Sequence, residues 1–206
     1  MNKFHIFLLF LIPTSLFAQE KSLLLGLQFS ADQINGENYV VSDGNINGYN
    51  MDRSEFNFKI GLTLSQSIAK RINLNSGLFY SNKDFSGTYN CATCDLIGDP
   101  LTIDINHRYL TVPVNLEYRI LQGIVSPSVL IGLTNNFNVQ QEAIEVNDYF
   151  LEGLLGFGLT FELTKMLSLT PRYSYSKSLT DVYRNENNSP NFKTNNFQVG
   201  IDYKIK

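Results

Sequence analysis

The sequence predicts an all-β fold: an eight-stranded antiparallel transmembrane up-and-down β-barrel with long external loops and short periplasmic turns. Three observations carry this expectation. Eight segments alternate apolar and polar residues with a period of two, the spacing at which a strand points successive side chains to opposite faces. The gaps between the segments alternate long and short. Aromatic residues gather at the ends of the apolar faces, where a membrane-water interface would meet them.

The first segment, Ser22 to Asp32, sets Leu23, Leu25, Leu27, Phe29 and Ala31 against Gly26, Gln28, Ser30 and Asp32. The second, Phe56 to Gln66, shows the pattern best: Phe56, Phe58, Ile60, Leu62 and Leu64 oppose Asn57, Lys59, Gly61, Thr63 and Ser65. The third runs from Ile72 to Asn82, with Ile72, Leu74, Leu78 and Tyr80 on the apolar face. In the fourth, Arg108 to Ile120, Leu110, Val112, Val114, Leu116 and Tyr118 oppose Thr111, Asn115, Glu117 and Arg119.

The second half repeats the theme. Val125 to Phe137 and Tyr149 to Leu163 form the fifth and sixth strands, with Ile131, Leu133, Leu155 and Phe157 among their apolar positions. Leu167 to Leu179 sets Leu169, Tyr173 and Tyr175 against Ser168, Thr170, Arg172, Ser174 and Ser176. The last strand closes the chain, with Phe197, Val199, Ile201, Tyr203 and Ile205 opposite Gln198, Gly200, Asp202 and Lys204. Segments of about 11 residues suit a tilted strand crossing a bilayer.

Short connections fall near Ser67–Arg71, Leu121–Gly123 and Thr164–Met166; long ones near Gln33–Glu55, Lys83–His107, Asn138–Asp148 and Thr180–Thr194. With a periplasmic N-terminus and an even strand count, every long gap lands outside the cell. That is the asymmetry of outer-membrane barrels.

The 206 residues suffice for one domain. Met1-Asn2-Lys3 is a cationic start, Phe4 to Phe17 is almost wholly apolar, and small Ala18 precedes Gln19. Residues 1–18 therefore read as a signal peptide cleaved after Ala18, and 19–206 as the barrel domain. The other reading, an uncleaved anchor, fails on length: about 14 apolar residues are fewer than the about 20 a membrane helix needs. Position 19 is not Cys, which argues against a lipoprotein anchor. The net charge is −3, and loss of the one basic residue Lys3 with the leader takes it to −4. Nothing in it resembles the basic patch of a nucleic-acid binder, so no nucleic-acid partner is expected.

A soluble lipocalin-like barrel would turn the apolar face inward. The polar face argues otherwise. It carries five acids (Asp32, Glu117, Glu152, Glu162, Asp202) and five bases (Lys59, Lys83, Arg119, Arg172, Lys204), a balance expected of charges sharing a narrow lumen. Arg108 and Lys177 stand on the lipid face at the outer rim, where a charge costs little. They either snorkel or touch lipopolysaccharide phosphates. The ending Gln198, Gly200, Tyr203, Ile205 resembles the C-terminal signal read by barrel-assembly machinery, although Lys206 follows where an aromatic often stands.

Asn75-Ser76-Gly77-Leu78-Phe79-Tyr80-Ser81-Asn82-Lys83 and Arg108-Tyr109-Leu110-Thr111-Val112-Pro113-Val114-Asn115-Leu116-Glu117-Tyr118 resemble two strand signatures of the PorT-like outer-membrane β-barrel family of Bacteroidota. Thr111 and Glu117 depart from the second signature. Gly156-Phe157-Gly158 and Arg172-Tyr173 fit as well, so the resemblance spans about Leu23 to Ile205. It implies a barrel in the outer membrane, and its named member serves the type IX protein-secretion pathway. The shared residues are strand residues, so they carry fold rather than activity.

Chemistry is sparse. Cys91-Ala92-Thr93-Cys94 could be a redox pair or half of a metal site, but no second CxxC or His pair completes a zinc set. A local disulfide is the preferred reading in an exported chain. His107, the only histidine of the mature chain, is expected as a solvated residue at a loop base. Its rival role is in a Ser/His/acid set of a lipid hydrolase. Asp43-Gly44-Asn45-Ile46-Asn47-Gly48 begins like a calcium loop, yet the closing acid position holds Ser54, and an Asn/Gly-rich turn is preferred.

The sequence therefore assigns no catalytic residue, no cofactor and no metal ligand. It points to a non-enzymatic outer-membrane protein with a side-chain-filled lumen, acting in envelope structure and interaction or as an accessory of protein secretion. The alternative is an outer-membrane lipid-modifying hydrolase. Expected partners are outer-membrane lipid and lipopolysaccharide, barrel-assembly machinery during biogenesis, and envelope or secretion proteins.

Overall fold

The computed structural model describes residues 22–35, 47–91, 101–140, 146–182 and 192–205. Among the described residues eleven strands form: β1 (Leu23–Asn35), β2 (Asn47–Ser54), β3 (Asn57–Ala69), β4 (Ile72–Asn82), β5 (Phe85–Cys91), β6 (Leu101–Ile105), β7 (Arg108–Arg119), β8 (Val125–Asn138), β9 (Tyr149–Glu162), β10 (Leu167–Ser178) and β11 (Lys193–Lys204). Eight close into an antiparallel barrel in the order β1-β11-β10-β9-β8-β7-β4-β3. These are the eight segments the alternation marks. The other three, β2-β5-β6, make a separate sheet within the long connections β1–β3 and β4–β7.

Period-two patterning sets the register. Leu25 faces Tyr203 and Leu64, Leu27 faces Ile201 and Leu62, and Phe29 faces Val199 and Ile60, so apolar side chains meet around the outer wall. A slip of one residue would turn this belt inward and the polar set outward. Leu27, Leu62, Ile131, Leu155 and Phe157 lie well exposed on that outer face. The rings at its upper edge pack in series: Phe29 stacks on Phe58 at 6.4 Å, Phe58 meets Tyr80 at 6.2 Å, and Phe137 meets Tyr149 at 5.3 Å. Tyr149 and Tyr173 satisfy their hydroxyls there on Asn135 (3.0 Å) and Asn195 (2.9 Å).

The three short turns close where the sequence places them. Lys70 and Arg71 alone separate β3 from β4. Between β9 and β10, the Thr164 hydroxyl caps the backbone NH groups of Met166 (3.2 Å) and Leu167 (3.0 Å), a local bond that holds the chain in the turn. Residues 1–18, expected to be a signal peptide, residues 92–94 of the cysteine motif and residues 43–46 of the calcium-like turn lie outside the described residues.

Two ladders are interrupted at prolines. The β4–β7 pairing skips from Ser76–Val114 to Phe79–Thr111, passing Pro113. The β9–β10 pairing skips from Phe161–Leu169 to Gly158–Arg172, passing Pro171. Proline supplies no NH to a ladder, so each skip follows directly from the residue. Ser76 Oγ replaces one missing bond by donating to the Pro113 carbonyl at 3.0 Å.

Candidate functional site

The barrel is solid. Small polar side chains fill its middle: Gln28, Ser30, Thr111, Thr134, Asn136, Thr170, Ser174, Asn196 and Gln198 are all buried. Phe79 enters the same space and is 3 % exposed. Its ring fits only because Gly61 and Gly77 face it: a Cβ at either position would lie within 2.8 Å of a Phe79 ring carbon.

Ion pairs run down the lumen. Near the outer end Lys83 Nζ donates to Glu152 Oε1 at 2.9 Å and to Thr194 Oγ1 at 3.4 Å. Asn136 donates to the other Glu152 oxygen at 3.0 Å, and Asn136 accepts from Thr111, which bonds Ser81 at 2.9 Å. The belt Ser81–Thr111–Asn136–Glu152–Lys83–Thr194 thus ties the outer ends of β4, β7, β8, β9 and β11 together. Lower down Lys59 meets Asp32 at 3.8 Å, and Arg172 meets Glu117 at 3.2 Å. Asn75 also donates to Glu117 at 2.7 Å. Buried pairs of this kind need such extra hydrogen bonds to offset the loss of water.

The expected five-and-five charge balance narrows to four and four. Glu162 and Lys204 lie exposed at the periplasmic ends of β9 and β11, where water solvates them. Asp32, Glu117, Glu152 and Asp202 remain inside with Lys59, Lys83, Arg119 and Arg172.

Above the Lys83–Glu152 pair the lumen face turns apolar. Phe85, His107, Tyr109, Phe150 and Phe192 form a closed ring of contacts: 5.8 Å from Phe85 to His107, 6.2 Å to Tyr109, 5.2 Å to Phe150, 6.3 Å to Phe192 and 6.2 Å back to Phe85. Ile34, Ile105, Val146 and Val182 complete the cluster. Lys83 Nζ sits 5.9 Å from the centroids of both Phe150 and Phe192, so its charge is held by ring faces as well as by Glu152. This plug closes the extracellular end.

His107 departs from its expected place. It is fully buried within the plug rather than solvated, because β5 and β6 fold back and bring Phe85 over it. Its backbone NH donates to Asp84 at 3.0 Å. Arg108 likewise is no free rim cation: its guanidinium pairs with Asp84 and bonds the His107 carbonyl at 3.0 Å. Lys177 does stand exposed on the outer face, and β11 sets Lys193 directly opposite it. The sequence places Lys193 within the long Thr180–Thr194 connection, whereas β11 begins with it. Among the described residues no group of three or more His, Cys, Asp or Glu side chains is placed to hold a metal ion.

The closed eight-stranded antiparallel wall is apolar outside and polar inside, and residues 8–204 match the family model of the outer membrane protein beta-barrel domain. The chain belongs to that family. No curated protein matches it. The structure resembles Neisserial surface protein A (11 % identity, 89 % of this chain and 97 % of the other, TM-score 0.54). It also resembles the outer membrane protein OprG of Pseudomonas aeruginosa (13 %, 90 % and 95 %, 0.53). A third likeness is to Ail, the attachment invasion locus protein of Yersinia pestis (14 %, 90 % and 99 %, 0.52). At these identities the likeness is one of fold. The barrel is an outer-membrane protein, and its exposed apolar belt is the face that meets lipid.

Proposed function

We propose that this barrel is a non-enzymatic outer-membrane protein that acts through the sheet it holds outside the membrane. Its role would be in envelope structure and interaction or as an accessory of protein secretion. The observation that carries the reading is the aromatic plug over the Lys83–Glu152 pair. A lumen filled below and sealed above suits no solute path, whereas β2, β5 and β6 stand beyond the plug as a separate three-stranded surface. The resemblance of residues 75–83 and 108–118 to the PorT-like family supports the secretion variant. Residues 1–18 would direct export and be removed after Ala18.

Lipid and lipopolysaccharide are the proposed neighbours of the wall. Lys177 stands exposed at the outer rim, where lipopolysaccharide phosphates would meet it. Barrel-assembly machinery is the proposed partner of β11 during biogenesis. The alternative, a lipid-modifying hydrolase, would need His107 within reach of a lipid ester, and the plug encloses its ring.

The test is capture from native outer membranes after in-cell crosslinking. Full-length chain is compared with a variant whose residues 47–54 and 85–105 are replaced by short turns. The proposal expects specific envelope proteins on the full chain and their loss from the variant. Identical captures, with both barrels folded, would overturn it.

A further inference from the structure

We infer that the periplasmic rim of the barrel is a docking surface for the anionic headgroups of phospholipids in the inner leaflet of the outer membrane. This goes beyond the proposed role of the extracellular sheet and is independent of it.

Exposed charge is divided unevenly between the two ends. Among the described residues, Lys70, Arg71, Lys165 and Lys204 are exposed at the periplasmic end, and Glu162 is the one exposed acid there. The extracellular end reverses the balance, with Glu55, Asp104, Asp148 and Asp181 exposed against Lys177. The chain as a whole is acidic, with a net charge of −3, so composition does not account for a basic end. Like charges gathered on one surface repel one another, and an anionic partner removes that cost.

Hydrogen bonds assemble these cations into two platforms. Arg71 Nη1 donates to the Ile120 carbonyl at 3.5 Å, and the Arg119 backbone NH donates to the Arg71 carbonyl at 2.8 Å. The Gln122 amide donates to the Lys70 carbonyl, so the β3–β4 and β7–β8 turns form one surface. On the other side of the ring of strands, the Lys204 backbone NH donates to the Met166 carbonyl at 2.8 Å. That bond joins the end of β11 to the β9–β10 turn, which carries Lys165.

Each platform has an apolar edge, and a tyrosine fixes its depth. Beside Lys70 and Arg71 stand Ile120, Leu121 and Ile124, the last 76 % exposed. Beside Lys165 and Lys204 stand Leu163, Met166 and Ile205, all well exposed. Tyr118 leads into Ile120 and Tyr203 into Ile205; both rings lie on the lipid face, and the Tyr203 hydroxyl reaches Met166 Sδ at 3.8 Å. Tyrosines at strand ends mark the membrane–water interface. The platforms therefore sit at headgroup level, where their apolar residues are covered by lipid and their cations meet phosphates. A soluble acidic protein would account for the charges but not for an apolar edge at that depth.

The test reconstitutes the full barrel in phosphatidylcholine bilayers and measures its association with spin-labelled phosphatidylglycerol and spin-labelled phosphatidylcholine. The expected result is a preference of about threefold for phosphatidylglycerol, lost at about 0.5 M salt because exposed charges are screened. Lys70→Gln with Arg71→Gln, or Lys165→Gln with Lys204→Gln, lowers the preference, and all four changes together abolish it. Glu162→Gln raises it. Equal association of both lipids with the unmodified barrel overturns the docking surface without recourse to any variant, and leaves the rim to a soluble acidic partner. A preference that survives all four changes puts the anions elsewhere on the wall and overturns it as well.

Discussion

Lys83 Nζ stands 2.9 Å from Glu152 Oε1 and 5.9 Å from the ring centroids of both Phe150 and Phe192, and the two charged side chains are almost wholly enclosed. The pair is the floor of the plug and the centre of the polar belt below it. Breaking it from one side therefore leaves a buried charge without its counter-charge.

The first prediction follows from that enclosure. Lys83→Met or Glu152→Gln alone should lower unfolding stability by about 3–5 kcal/mol. The double replacement Lys83→Met with Glu152→Gln should cost markedly less than the two single losses added, since no orphan charge remains. Denaturant unfolding of all four proteins in one detergent gives the coupling energy; additive losses would show that the two side chains act separately.

Closure of the lumen is open to electrical measurement. The barrel should show no steady single-channel conductance in planar bilayers, because side chains fill the bore and the plug roofs it. Phe150→Ala with Phe192→Ala removes two of the five plug rings and should admit water to Lys83, seen as faster exchange of its ammonium protons. Steady conductance from the unmodified barrel would contradict the sealed lumen.

The barrel was largely legible in the sequence, and the plug was not, for reasons particular residues make clear. β4 forms from Ile72 to Asn82, as its alternation predicts. A two-sided wall between lipid and a polar interior forces strict period two, and that pattern survives in a single sequence. Above the membrane the rule lapses: Phe150 precedes Leu151 and Tyr109 precedes Leu110, apolar on both faces, because the inner face now packs a core. Those doubled apolar positions were the available signal. Leu101-Thr102-Ile103-Asp104-Ile105 also alternates, but a five-residue run inside a long gap carries little weight until its partner β5 is known. The burial of His107 depends on that long-range pairing, so local sequence placed it in water.

The prolines predict where the wall is weakest. Amide exchange should be fastest, within the membrane-spanning wall, at Gly77–Leu78 and Leu159–Thr160, which face the skipped positions beside Pro113 and Pro171. The β8–β9 seam, paired without a break from Val125 to Phe137, should be slowest. Pro113→Val restores an NH toward β4 and should gain about 0.5–1.5 kcal/mol. Uniform protection around the barrel would refute the seams.

His107 gives the test of the enzymatic alternative. His107→Phe keeps an aromatic ring between Phe85 and Tyr109 while removing all imidazole chemistry. Lipid A composition in cells carrying it should match that of cells with the unmodified protein. A lipid species that depends on His107 would restore the hydrolase reading and displace the non-enzymatic one.

Depth on the outer face sets the last expectation. Ile131 lies near the middle of β8, well exposed on the apolar belt, whereas Lys177 sits near the end of β10 at the outer rim. A cation at the bilayer midplane costs about 2–4 kcal/mol, and one near the interface about 0–1 kcal/mol. Ile131→Lys should therefore destabilise the barrel in lipid vesicles by about 2–4 kcal/mol. Lys177→Met, removing one of two facing rim cations, should change stability little in zwitterionic vesicles. Refolding titrations in vesicles measure both. If Ile131→Lys were tolerated there, the exposed belt could not be the face that meets hydrocarbon.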